Sequence, residues 1–334
     1  MEHQPLEFYA VGGRQREGAV GREEWHHYER GVVVRIDATG AGRVCFDYVS
    51  PPDACPAGDQ PSFLFKAATV RDNRIYLCTQ TEVLICALPS FERMHYVSLP
   101  CFNDLHHVRP TSDGTLIVVS TGLDLVVEVS LEGEVLREWG VMGQDPWSRF
   151  SRAVDYRKVF STKPHVSHPN FSFFLGGELW VTRFKQRDAV CLTRPGGRLD
   201  VAVQGPHDGY VLGDKVVFTT VDGHLVVASP GRVPEVIDLN GIGGSFRRLG
   251  WCRAALPLDE RRVVVGFSRL RATKPLDNIG WLRGGIEALR SVSQRPTRLA
   301  LYDTLQRELC WEVSLEELGL SAVFSCHLVG AEDP

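Results

Sequence analysis

The chain has 334 residues, 43% hydrophobic and 23% charged, with a formal net charge of −4. That balance is ordinary for a globular protein and argues against a general nucleic-acid or membrane-surface binder. No apolar run approaches the roughly 18 residues of a membrane span. The N-terminal MEHQPLEFYAVGG has no basic stretch ahead of an apolar core, so no secretion signal is expected. Nine cysteines in no C-x-x-C spacing predict reduced thiols, with Cys78, Cys86, Cys191 and Cys310 inside apolar strand patterns, and a cytoplasmic setting.

Taken in chain order, the sequence repeats one unit. Phe8–Gly13 reads as a strand, and Val32–Tyr48 (VVVRIDATGAGRVCFDY) as a hairpin around a Gly-centred turn. Arg74–Cys78 then precedes the hairpin Glu82–Leu99. Cys101–Trp139 holds four strands: a first segment with His106 and His107, TLIVVS, LVVEVS and EVLREW. Later copies are Glu178–Thr182 with Asp188–Val203, Lys215–Thr219 with His224–Leu239, and Arg262–Phe267 with Arg298–Val313. Apolar alternation of period two marks half-buried strands. Five complete units and one split unit result, and Ala322–Gly330 supplies the strand that the N-terminal unit lacks. Mixing both chain ends in one sheet closes a ring and removes its open edge. The expected fold is a single all-β domain over residues 1–334, a six-bladed β-propeller of four-stranded antiparallel blades, with five blades as the alternative.

Three segments interrupt the rhythm, at about 14–30, 140–163 and 271–297. In the last, Trp281, Leu282, Ile286 and Leu289 have the spacing of a short amphipathic helix. Up-and-down blades bring all three to the end of the ring where the innermost strands begin, the usual place for a site.

Counting back seven positions from the turn before each second strand gives His107, Asn170 and His207. The corresponding positions of the other complete blades hold Lys66 and Ala254, the latter beside Arg253. His168 lies two residues before Asn170, and His327 lies in the split unit. Adjacent side chains alternate in direction along a strand, so His107 rather than His106 is expected to face the channel. A lone histidine commonly bonds a turn, whereas recurrence at one register points to metal ligation or acid–base and nucleophilic work. Arg183, Arg269 and Arg271 end second strands, where a guanidinium can hold an anion by paired hydrogen bonds. Asp104, Asp124, Asp188 and Asp208 are candidates for orienting a histidine.

The runs HHVRPTSDGTLIVVS, VVEVSLEGEVLREW, HPN…LWVTRF and GPHDGYVLGDKVVF resemble the repeats of the arylsulfotransferase family, six-bladed propellers. The resemblance covers roughly 103–239. It implies a sulfate-handling set of His107, His168, Asn170, Arg183 and His207, with one histidine as nucleophile. His327 has no counterpart in that pattern.

The residues themselves favour a metal-dependent lyase, oxygenase or hydrolase. His107, His168, His207 and His327 would hold iron, zinc or manganese, with no nucleotide cofactor indicated. Arg253, Arg269, Arg271 and Trp281 would bind a small, anionic substrate. Metal-free group transfer through a histidine is the alternative, and a non-catalytic binding scaffold the third reading. Oligomeric state is not readable from the sequence.

Overall fold

The computed structural model describes residues 6–19, 24–58, 60–242, 249–269 and 295–334. Six four-stranded antiparallel sheets are arranged as the blades of a propeller. The first complete blade contains β4 (Ala67–Arg71), β5 (Arg74–Cys78), β6 (Val83–Ala87) and β7 (Arg93–Val97). The second contains β8 (Leu105–Pro110), β9 (Leu116–Ser120), β10 (Leu125–Val129) and β11 (Val135–Gly140). The third contains β12 (Pro169–Leu175), β13 (Glu178–Arg183), β14 (Asp188–Cys191) and β15 (Arg198–Asp200). The fourth contains β16 (Pro206–Leu212), β17 (Lys215–Thr220), β18 (His224–Ala228) and β19 (Glu235–Asp238). The fifth contains β20 (Trp251–Pro257), β21 (Arg262–Ser268), β22 (Arg298–Asp303) and β23 (Glu308–Ser314).

The sixth blade is the split one: β24 (Ala322–Leu328) lies innermost, followed outward by β1 (Glu7–Gln15), β2 (Tyr28–Asp37) and β3 (Gly42–Tyr48). Its seam runs antiparallel, from Phe8 opposite Leu328 to Gly13 opposite Ala322. Gly12 is required there, because a Cβ at that position would sit 1.8 Å from the Ala322 carbonyl oxygen. The six-blade expectation therefore holds, including the shared blade.

Burial explains the sequence pattern. Middle strands are covered by neighbouring blades on both faces, so β9 (LIVVS) is buried at every position. Outermost strands have one wet edge and alternate, as in β23 (ELCWEVS). Each fully buried valine or leucine contributes about 1.5–3 kcal/mol of transfer free energy, and the cores lie between blades rather than at the axis. All nine cysteines are free. Cys78, Cys86 and Cys191 are core thiols as expected, but Cys310 is exposed on β23.

One irregularity recurs and positions the site. In five of the six innermost strands the pairing with the second strand slips by one residue near its start. The break falls at His106, between Leu105 and His107, and at His207, between Pro206 and Asp208. It falls at Arg253, between Cys252 and Ala254, and at Phe324, between Ser325 and Val323. In β12 Asn170 and Phe171 together oppose Thr182. A β-bulge leaves one residue out of the ladder and re-aims its side chain. Lys66, immediately before β4, occupies the matching place in the first blade, and its N–H donates to the Cys78 carbonyl.

Two of the three interruptions meet over the end where these strands begin. Trp25 and His26, just before β2, touch the segment 141–168: the His26 and Phe160 rings are 5.2 Å apart and Lys163 Nζ lies 4.7 Å from the Trp25 ring centre. The helix expected around Trp281–Leu289 lies outside the described residues.

Candidate active site at the channel mouth

The five bulged residues and Lys66 form a collar. His106 and His207 have ring centres 5.9 Å apart, and His207 and Phe324 6.1 Å. The Phe324 ring carries the Arg253 guanidinium at 4.1 Å and Lys66 Nζ at 5.7 Å. Asn170 closes the gap between the third and fourth blades, donating through Nδ2 to the Pro206 carbonyl at 3.0 Å. One half of the collar is imidazole and amide, the other cationic and aromatic. All six residues are buried.

A second group rests on the imidazole half. His168 packs edge-on to His106, with ring centres 5.0 Å apart. His165 Nδ1 and His168 Nδ1 face each other at 2.8 Å. Ligand-capable atoms of Asp104, His165 and His168 all lie within 4.8 Å of one another. Nitrogens bound to one ion at about 2.1 Å stand about 3.0–3.4 Å apart, so the 2.8 Å imidazole pair is near that separation, while the 4.8 Å span of the full set would have to contract around an ion. Lys66 Nζ lies 3.0 Å from Asp104 Oδ1, which links the two halves of the collar.

Burial favours the neutral form of His165, His168 and His207. His165 is pushed below its ordinary value chiefly by desolvation. For His168 burial acts first and His106 adds to it. For His207 burial is joined by Arg253, His106, His168 and Lys66, and its pKa falls well below the usual range. Neutral imidazoles are the form that binds cations or accepts protons. Two buried collar atoms, His207 Nδ1 and Asn170 Oδ1, have no hydrogen-bond partner among the described residues. A buried polar atom without a partner is costly, and a bound molecule satisfies it.

The sequence-derived set divides accordingly. His168, Asn170, His207 and Arg253 come together at the mouth. His107 does not: its ring turns to the next level down, stacks edge-on with Phe171 at 4.8 Å and meets Ser172 Oγ through Nδ1 at 2.9 Å. His106 takes its place. Alternation was the wrong rule at this point, because the bulge at His106 interrupts it. His327 also lies at the lower level, with Nδ1 2.8 Å from Asp333 Oδ2. There it shares a small cavity with His107, Arg109, Asp208 and Tyr210. It is therefore not a ligand partner of His168.

Arg183 is not aimed at the channel. It pairs in bidentate fashion with Asp188, at 2.8 and 2.7 Å, and lines an outer groove between the second and third blades. Arg269 donates to Gln15 Oε1 at 2.8 Å and lies 3.6 Å from Glu316. Arg271 and Trp281 fall outside the described residues. His165 is a gain, Asp104, read from the sequence as orienting a histidine, lies beside it, and Lys66 falls where the repeat register placed it. The H-V-S-H spacing of His165 and His168 was the available signal for the first of these.

The fold and site define a six-bladed β-propeller with a histidine-rich mouth. No family model matches the sequence, and no curated protein matches it, so the arylsulfotransferase resemblance has no support from either comparison. Solved structures share the architecture. A protein of unknown function from Bacteroides caccae is 12% identical at a TM-score of 0.59, with 98% of this chain and 100% of that chain covered. A chain of a nidogen/laminin complex is 7% identical at a TM-score of 0.55, with the same coverage. A streptogramin B lyase structure is 12% identical at a TM-score of 0.47, covering 78% of this chain and 83% of that one. At these identities the likeness to the first two concerns the fold alone, and the third carries no argument.

Proposed function

We propose that the protein is a metal-dependent enzyme acting on a small anionic molecule at the channel mouth. The convergence of Asp104, His165 and His168 within 4.8 Å, beside a collar of buried polar groups, carries this reading. Two imidazoles and one carboxylate suit iron, zinc or manganese. Such an ion polarises a bound oxygen or acidifies a bound water. Arg253 lies on the other side of the collar, where it would hold the substrate's negative charge over Phe324, while Lys66, 3.0 Å from Asp104 Oδ1, would balance the ligand carboxylate. His207, neutral and buried, is suited to accept or return a proton. The meeting of segments 16–27 and 141–168 restricts bulk water.

Elemental analysis of the purified protein, before and after incubation with iron(II), zinc and manganese, tests the reading. About one equivalent of one metal is expected in the wild type, and far less in His168→Ala. Absence of stoichiometric metal under all three conditions refutes it.

The 2.8 Å contact between His165 and His168 also favours a second reading. Without an ion it is a hydrogen bond between two neutral imidazoles, a way to orient one of them as nucleophile for group transfer. A metal-free protein that forms a covalent histidine adduct with an aryl sulfate, lost in His168→Ala, would favour that alternative.

A further inference from the structure

The segment Pro164–His168 carries two of the three proposed ligands, yet it belongs to no strand until Pro169. Its shape comes from hydrogen bonds on both edges. On one edge three consecutive N–H groups donate to a single carboxylate. Val166 donates to Asp124 Oδ2 at 2.7 Å, while Ser167 and His168 donate to Asp124 Oδ1 at 2.9 and 2.8 Å. On the other edge the carbonyls are taken in order. Lys185 Nζ donates to the His165 carbonyl, Gln186 Nε2 to Val166 at 3.1 Å, the Lys185 N–H to Ser167 at 3.1 Å, and the Phe184 N–H to His168 at 3.3 Å.

Asp124 is itself fixed. It is buried, follows the short 3-10 turn Thr121–Leu123 in a left-handed conformation, and returns its N–H to the Thr121 carbonyl. Arg149 Nη1 donates to its Oδ2 at 2.9 Å. His168 is also left-handed, at φ 59°, a conformation that a non-glycine residue keeps only when its surroundings impose it. A charged acceptor for three adjacent N–H groups is a strong constraint of that kind.

We infer that Asp124 is a positioning residue that holds His165 and His168 with their Nδ1 atoms facing each other. It does so through the three backbone N–H groups, and its charge acts in addition on His165, whose protonated form it favours. The inference rests on the proposed site for its functional meaning, though not for its structural content. Asp124→Asn keeps the shape, removes the charge and sets an NH2 group among N–H donors.

The first readout is imidazole 15N NMR of the metal-free protein, which reports tautomer and hydrogen bonding. The wild type should show a coupled His165–His168 pair, and D124N should lose it. The second readout is cobalt(II) titration followed by visible absorption. D124N should bind about 10–100-fold more weakly, as is usual when a partner behind the ligands is removed, with a changed absorption band. Arg149→Gln leaves the three N–H bonds in place and should change affinity less than about threefold. An intact imidazole pair in folded D124N overturns the inference whether or not metal binds. Failure of the wild type to bind cobalt, with the pair lost in D124N, instead counts against the metal reading alone. If D124N does not fold, Asp124→Glu is measured in the same way. Its longer side chain should displace the segment, and wild-type spectra and affinity in D124E overturn the inference.

Discussion

His107 provides a test of the electrostatics below the collar that needs no substrate. Its imidazole is buried, and desolvation, helped by Arg109 and His327, drives its pKa well below the ordinary value. The native state therefore keeps His107 neutral while the unfolded chain takes up a proton below about pH 6.5. A depressed histidine pKa gives stability that is complete above the unfolded value and lost as pH falls toward the folded one. Between pH 7.5 and pH 5.5 the loss from this one residue is about 1.4 kcal/mol, because one extra proton binds to the unfolded state across the lower unit. His107→Gln keeps a polar contact for Ser172 but cannot titrate. Urea unfolding with chelator present, at pH 7.5 and 5.5, reads the difference if the m-value is unchanged. The variant should be less stable than the wild type at pH 7.5 through imperfect packing, yet lose about 1.4 kcal/mol less on acidification. Equal pH dependence in the two proteins would mean that His107 is protonated in the native state, and the argument from burial would fail.

Other predictions concern the frame and the outer charges. Gly12→Ala forces a Cβ onto the Ala322 carbonyl at the closing seam and should cost about 3 kcal/mol. With about 2.1 cal/mol/K per residue of unfolding entropy, that lowers Tm by about 4 °C in a chain of this length; an unchanged Tm by differential scanning fluorimetry refutes the seam geometry. Asp188 is 1% exposed and accepts from both Arg183 and Arg198. Asp188→Asn should therefore destabilise the third blade by about 2–3 kcal/mol in urea, whereas a change under 0.5 kcal/mol would show the pairs to be energetically idle.

Strand positions were readable because both determinants are local. Buried middle strands are continuous apolar runs, and two-residue turns such as Gly176–Gly177 and Gly213–Asp214 separate them. The split blade was readable because Ala322–Gly330 had no partner strand nearby. The collar was readable only in part. Counting back from the turn located Lys66, Asn170 and His207, whose blades have two-residue hairpin loops. It missed by one in the blades of His106 and Arg253, where five residues separate Pro110 from Leu116 and Pro257 from Val263. A bulge has no residue signature of its own, so the one-residue slip became visible only in the ladder. Segment 164–168 was illegible for another reason: its shape comes from Asp124, some forty residues away in sequence, and no repeat unit contains it.

The bulges have a consequence for how such a molecule can change. A residue in regular pairing serves two neighbours at once, its ladder partner and the adjoining blade, so its replacement disturbs the frame. Five of the collar residues, all but Lys66, stand out of the ladder, and their backbones are anchored by neighbours such as Thr219, whose hydroxyl donates to the Arg253 carbonyl. On the proposed reading, substituting a bulged collar side chain would alter what the mouth holds while leaving the pairing on either side intact. The positions that build the frame would then be distinct from those that set specificity.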